Sequence, residues 1–305
     1  MNPAAIQTLH ELYPDRLQEQ VPLAGYTSAR IGGPADMLLI VRSAEELAEA
    51  AAHMWQLDVP VTLLGGGSNV LVSDRGVRGM VLINRARLVK VDSKADLPSV
   101  YAESGASLND IAQRTAKLGL SGLEWAAALP GSLGGAIFGN TGAFGGDMAG
   151  NVVSVEVLHR ERGRETWPVE KMGYGYRTSI LKREPQPVFI LAATLQLLHG
   201  VTAKIQAKMT GFSERRRCTQ PPGASMGSMF KNPPGDKAGR LIEAAGLKGS
   251  CIGAAQVSTQ HANFFINTAD TRAEDMKSLL DLVQATVFSK FGIHLETEVE
   301  LIGEW

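Results

Sequence analysis

The segment LPGSLGGAIFGNTGAFGG, residues 129–146, constrains this chain more than any other. It holds seven glycines in 18 residues, where average usage is roughly 7%. Without a Cβ, glycine lets the main chain approach another surface closely and take left-handed angles. Leu133, Ile137, Phe138 and Phe144 interrupt the glycines. Apolar side chains of this kind anchor a segment in a core, so the stretch is no free linker. Two readings remain open: a tightly packed structural corner, or a loop whose backbone lies against something flat or anionic.

A second glycine cluster, Gly65-Gly66-Gly67-Ser68-Asn69, follows an apolar run ending at Leu64 and precedes Val70–Val72. Consecutive N–H groups in such a turn can converge on an anion, but a plain hairpin turn would look the same. No Gly-Lys-Ser/Thr follows the cluster and no GxGxxG occurs in the chain. Those absences count against a P-loop and against a Rossmann dinucleotide site. Two glycine loops on one sheet-rich lobe point to a large ligand carrying a diphosphate and a planar ring.

The surrounding pattern is α+β. Ser43 and Glu46 open a capping box for a helix over 43–57, and Ser107 caps a second one closed by Gly119. Strands are predicted at Val59–Leu64, Val70–Val72, 79–85 and 99–103, with an extended region over 152–198. Residues 119–150 read as a long loop. The last third is more helical: about 202–217, then 238–246, then a helix opened by a Thr271–Glu274 capping box and ended by Gly292. Residues 219–236 between them read as a Pro/Gly-rich loop, and residues 294–302 alternate as a strand. The expected division is 1–84, 85–205 and 206–293, with 294–305 returning to the first lobe.

A net charge of −1 gives no basic footprint for nucleic acid. Arg215, Arg216 and Arg217 read as a solvated helix end. Cys218 and Cys251 lie in unrelated contexts and the six histidines are scattered, so neither a disulfide framework nor a metal site is expected. The N-terminus lacks a signal-peptide pattern, and no apolar run is long enough to span a bilayer. A cytoplasmic monomer with no membrane and no nucleic-acid partner is the expectation.

The two glycine loops, LLGGGSNVLVSDRGVRGMVL and ALPGSLGGAIFGNTGAFGGDM, resemble the FAD-binding domain of the vanillyl-alcohol-oxidase (PCMH) type. Three more motifs narrow the likeness: YGYRTS at 174–179, GSMFKNP at 227–233, and LETEVELIG at 295–303. In this order they resemble the UDP-N-acetylenolpyruvoylglucosamine reductase family from about Tyr26 to the C-terminus. The resemblance implies a two-lobed FAD-binding domain plus a C-terminal α/β substrate-binding lobe, non-covalent FAD, and NADPH as co-substrate. It also implies a UDP-sugar substrate whose enolpyruvyl double bond is reduced.

Residue by residue, it places Gly65, Gly66, Gly67, Ser68 and Asn69 at the flavin diphosphate. Leu129, Pro130, Gly134, Gly135, Asn140, Thr141 and Gly142 would line FAD. Arg177, Ser228 and Glu298 fall on catalytic positions, and Tyr176, Lys231 and Asn232 on substrate contacts. Two departures stand out. Phe144 replaces a tyrosine frequent in the family, and the chain resembles the shorter form lacking a tyrosine-bearing loop over the substrate diphosphate.

The implied chemistry suits these residue types. Hydride addition to C3 of the enolpyruvyl group leaves negative charge that spreads from C2 into the carboxylate, which a guanidinium stabilises with directed N–H bonds. Carbon C2 then needs a placed proton donor, the role given to Ser228. Glu298 would orient the carboxylate or assist the proton transfer. Each residue alone has a duller reading: Arg177 after a turn, Ser228 making turn hydrogen bonds, Glu298 on a solvated strand face between Glu296 and Glu300. A covalently flavinylated oxidase of the same superfamily is a competing reading, but no histidine lies between His53 and His159 to serve as tether. A silent nucleotide-binding relative is a third, opposed by the joint presence of Arg177, Ser228 and Glu298.

Overall fold

The computed structural model describes residues 2–305. The chain forms two compact units. The first comprises the N-terminal stretch to Leu17, Leu39–Gly66 and Met80–Arg215; the second comprises Gln18–Leu38, Gly67–Gly79 and Arg216–Trp305.

The first unit is built on a five-stranded antiparallel sheet. Its order is Gly163–Pro168, Val152–His159, Val188–Gln196, Ser99–Glu103 and Val89–Asp92. Registers such as Val155↔Trp167 and Ala193↔Ala102 turn Val100, Ala102, Val155, Val157 and Trp167 into one core with Leu108, Ile111, Leu133 and Ile137. Fully burying an aliphatic side chain of this size is worth about 1.5–3 kcal/mol. The hairpin between Val152–His159 and Gly163–Pro168 is closed by buried His159, whose Nδ1 accepts from Glu161 N and Arg162 N. That geometry requires an unprotonated Nδ1.

Helix Ala44–Gln56 starts where Ser43 accepts from Glu46 N at 3.1 Å. It buries Leu47, Ala50, Ala51 and Met54 and stacks Trp55 on Phe189 of the sheet, 5.4 Å between centroids. Buried Glu103 bridges distant segments by accepting from Ala44 N (2.9 Å) and Leu88 N (2.8 Å). Strand Val61–Leu64 runs parallel to the 80–83 stretch, with Val61 opposite Met80 and Leu64 opposite Ile83.

The second unit carries a four-stranded antiparallel sheet ordered Ala224–Ser228, Phe264–Asn267, Ala255–Val257 and Cys251–Ile252. Helices Ala238–Ala244 and Ala273–Phe291 pack on it through Leu241, Ile242, Met276, Leu280 and Val283. Glu300–Ile302 pairs in parallel with Val70–Val72. Gln18–Pro22 pairs antiparallel with the 34–38 stretch.

The structure departs from the sequence reading at several places. Within the expected loop 119–150, residues Leu133–Gly139 form a helix, because Ser132 caps Gly135 N and Leu133, Ala136 and Ile137 share a buried face. The 219–236 stretch contains the strand Ala224–Ser228. The Thr271 capping box does not form: Thr271 Oγ1 donates to Asn267 Oδ1, and Asp74 caps the helix from a distant loop instead. Only Glu300–Ile302 of the expected C-terminal strand is regular. The Gly65–Asn69 loop is no hairpin, since Val61–Leu64 and Val70–Val72 pair with different strands.

Candidate active site

In the first unit the two glycine loops meet main chain to main chain. A Cβ on Gly66 would lie 2.9 Å from Gly131 Cα, and one on Gly65 would collide with the Ser132 hydroxyl. Glycine is therefore obligatory for this approach. The 131–134 turn is pinned by Leu108 N to Gly131 O, Leu133 N to Ala106 O and Gly134 N to Ser104 O. The Gly65 carbonyl accepts from Arg85 Nη1 at 2.9 Å. The result is main chain packed directly against main chain, with the 131–134 turn fixed by hydrogen bonds to the segments on either side.

Leu129 is buried in the core of this unit, while Pro130 and Gly135 are exposed. Thr141 and Gly142 are half-buried. Asn140, in a left-handed conformation at the end of helix Leu133–Gly139, spends its side chain on the protein. Its Nδ2 donates to Gly175 O at 2.9 Å and its Oδ1 accepts from Ala149 N at 3.0 Å. Asn140 thus ties the FAD-type loop to the turn that carries Arg177.

That turn is closed by reciprocal hydrogen bonds between Gly175 and Thr178. Tyr176 and Arg177 form its tip, and Arg177 sits at φ +55°. Its Nη2 donates to Gly142 O at 2.7 Å, and its guanidinium lies 5.7 Å from the centre of the exposed Tyr176 ring. Nearby, the Tyr174 hydroxyl is buried without a hydrogen-bond partner among the described residues. Burial, helped by the Asp147 charge, pushes that phenol above its usual range. Phe144, the residue that departs from the family pattern, stacks on Phe212 at 4.3 Å.

The remaining predicted residues belong to the second unit. Gly67 is at φ +61°, and a Cβ there would strike the Tyr26 carbonyl; its own carbonyl accepts from Ser28 N. Ser68 is half-buried. Asn69 was expected to face a diphosphate, but its Nδ2 donates to Glu298 O at 3.0 Å and its carbonyl accepts from Glu300 N at 3.0 Å. Its side chain is a brace for the Glu298 segment.

Ser228 ends the strand Ala224–Ser228, opposite Phe264. The next three residues lie against the Glu298 segment: Glu298 N donates to Met229 O (2.9 Å) and Lys231 N to Glu296 O (2.8 Å). The segment carrying Ser228 and the segment carrying Glu298 are thereby locked side by side. Lys231, with an 11% exposed side chain, pairs with Glu296. Asn232 Oδ1 accepts from Ala238 N, capping the helix that follows. The sequence reading missed the other brace, Asn263, which is buried behind Phe230 and hydrogen-bonded to it. Nothing in the spacing of an asparagine between apolar residues could have signalled it.

Among the described residues no group of three or more His, Cys, Asp or Glu side chains could hold a metal ion. Cys218 and Cys251 are both free and exposed.

Comparison with known proteins accords with this geometry. A profile described as "FAD binding domain" matches residues 35–167, and one described as "UDP-N-acetylenolpyruvoylglucosamine reductase, C-terminal domain" matches residues 219–302. The chain is 44% identical over 294 residues to a UDP-N-acetylenolpyruvoylglucosamine reductase of Synechococcus elongatus, covering 95% of this chain and 96% of that one. It is 38% identical over 297 residues to its Chloroflexus aggregans counterpart, covering 96% and 100%. The crystal structure of UDP-N-acetylenolpyruvylglucosamine reductase from Thermus caldophilus superposes with a TM-score of 0.81 at 35% identity, covering 94% of this chain and 99% of that one. The chain belongs to the UDP-N-acetylenolpyruvoylglucosamine reductase family.

Proposed function

We propose that this chain is an FAD-dependent reductase that uses NADPH to reduce the enolpyruvyl double bond of UDP-N-acetylglucosamine enolpyruvate. The product, UDP-N-acetylmuramate, is a peptidoglycan precursor. One observation carries the reading: in a chain of this family, Ser228 and Glu298 lie on main-chain segments hydrogen-bonded to each other through Met229 and Glu298.

The loops suit FAD on structural grounds. Gly65, Gly66 and Gly134 present bare main chain because their close packing leaves no room for a Cβ. Gly67, Ser68, Pro130, Gly135, Thr141 and Gly142 are also among the residues proposed to hold it. Leu129, Asn140 and Asn69 would contribute through main chain, since their side chains are buried or already engaged. When bound and reduced by NADPH, FAD supplies the electrons that saturate the double bond.

Arg177, its guanidinium oriented by Gly142 O, neutralises charge gathering on the substrate carboxylate. Ser228 Oγ–H delivers the proton to C2 and is reprotonated through a proton relay; the relay and the rising basicity of that carbon compensate for the weak acidity of a hydroxyl. Glu298 orients the carboxylate or assists that transfer. Lys231, Asn232 and Tyr176 bind the UDP-sugar. A division into three lobes near 84 and 205 is part of the proposal; the first profile match ends at 167 and the second begins at 219, which brackets the second boundary, and the pairing of Glu300–Ile302 with Val70–Val72 supports the return of the last strand to the first lobe. So are a monomeric state and a cytoplasmic location; no helix among the described residues is long and apolar enough to cross a membrane.

The purified chain is expected to be yellow, to bleach with NADPH, and to recolour anaerobically with UDP-N-acetylglucosamine enolpyruvate. A protein that neither carries nor takes up flavin overturns the proposal. Ser228→Ala should leave bleaching by NADPH within about twofold while slowing recolouring by about 100-fold or more. Equal losses in both half-reactions would remove the proton-donor role.

A further inference from the structure

The Met229–Lys231 segment is held on both sides, and one side is not a strand. Along the Glu296–Glu298 side the bonds are ordinary main-chain ones. On the other, the strand Phe264–Asn267 reaches only as far as Ser228↔Phe264, after a register break between Ser225 and Ser228. The chain before Phe264 turns away, so the ladder cannot continue by main chain alone. Asn263 continues it. Its carbonyl accepts from Met229 N at 2.9 Å, its Oδ1 accepts from Phe230 N at 3.0 Å, and its Nδ2 donates to Phe230 O at 2.8 Å.

Every main-chain polar group from Met229 N to Lys231 N is thereby paired: three on Asn263 and two on the Glu298 segment. Asn263 is 4% exposed and Phe230 is 1% exposed, so water is no ready substitute for a lost partner. The Phe230 ring meets Phe265 edge-on at 6.0 Å, which fixes the side chain as the amide fixes the backbone.

We propose that Asn263 is a positioning residue for the reduction: its amide copies a strand's donor–acceptor pair and sets the backbone that presents Ser228 and Lys231. The inference rests on the reading of Ser228 and Lys231 above. An amide is required because Phe230 needs an acceptor and a donor from one side chain. A carboxylate supplies only acceptors and faces the Phe230 carbonyl with like polarity. A protonated carboxyl again supplies one of each.

The test compares Asn263→Leu, Asn263→Asp and Ser228→Ala in the flavin-loaded enzyme. Asn263→Leu should keep bleaching by NADPH within about twofold but slow recolouring by the enolpyruvate by about tenfold or more. Amide hydrogen exchange at Phe230 should quicken in the same protein, a readout independent of activity. Asn263→Asp should behave like the leucine variant near about pH 8. Toward about pH 6 it should regain recolouring rate and Phe230 protection relative to wild type, because burial raises the new carboxyl's pKa.

If Asn263→Leu does not fold, the pH-dependent recovery of Asn263→Asp decides alone. A wild-type recolouring rate in Asn263→Leu, equal losses in both half-reactions, or an Asn263→Asp profile parallel to wild type each overturns the inference. Ser228→Ala separates the two ideas. If it recolours normally, the proton-donor reading falls, while slow recolouring in the Asn263 variants would still mark Asn263 as positioning the segment through Lys231.

Discussion

Arg177 joins function and strain in one residue. A non-glycine residue at φ +55° costs on the order of 1–3 kcal/mol. The surrounding structure offsets this by closing the 175–178 turn, anchoring Gly175 O on Asn140 and seating the guanidinium on Gly142 O. If the guanidinium is there for chemistry, glycine at this position relieves the backbone while forfeiting the bond to Gly142 O and the contact with the Tyr176 ring, effects of similar size and opposite sign. Arg177→Gly should therefore shift unfolding free energy by no more than about 1 kcal/mol while reduction of the enolpyruvate falls by about 100-fold or more. Thermal denaturation beside steady-state rates checks it; a large stability loss with modest rate loss would make Arg177 a structural clasp. From the sequence alone Arg177 was only a member of a motif. Its positive φ, and the bond to Gly142 that makes it tolerable, depend on a loop 35 residues away.

At the scale of elements, two helix starts were legible because their caps are local. Ser43 and Ser107 each accept from an amide three residues ahead, so both starts stand in the sequence. Helix Ala273–Phe291 was read, but its cap was misassigned because the capping residue is 199 residues away: Asp74 accepts from Ala273 N at 2.9 Å and Glu274 N at 3.0 Å. Thr271 had the right spacing for a capping box, but its hydroxyl turns to Asn267 instead. Asp74→Ala should accordingly cost about 1–2 kcal/mol in denaturant unfolding, and Thr271→Ala clearly less; the reverse order would restore the local box. The helix Leu133–Gly139 was hidden for a different reason, although Ser132 caps it locally. Glycine disfavours a helix interior by about 1 kcal/mol per residue, so only burial of Leu133, Ala136 and Ile137 makes it form. The strand Ala224–Ser228 was masked by Gly227 and by the register break before Ser228.

For the whole chain, the α+β class and the family were legible because five motifs recur in order, each dictated by a local need for bare main chain or a particular side chain. What stayed hidden were the long-range braces, Asn69, Asn140 and Asn263, whose partners no spacing can name. One of these braces also bears on how the protein responds to pH. His261, two residues from Asn263, is half-buried with its ring edge-on to Phe264 at 4.9 Å, and its Nδ1 accepts from Asn263 N at 3.2 Å. Burial, opposed by a backbone hydrogen bond and more weakly by Glu243 and helped by the Lys248 charge, holds its pKa below the ordinary value. The folded chain thus binds this proton less readily than the unfolded chain, whose histidine titrates near about 6.5. Above that pH the neutral ring contributes its full share. As pH falls below it, the unfolded state gains protons first and stability declines until the folded pKa is passed. His261→Gln keeps an acceptor for Asn263 N and removes the titration, so the variant should lose less stability than wild type between about pH 7.5 and pH 5.5. Melting curves across that range give the difference directly, free of the other histidines common to both proteins. Parallel curves would mean that His261 is protonated equally easily in both states and that the bond to Asn263 does not constrain its charge.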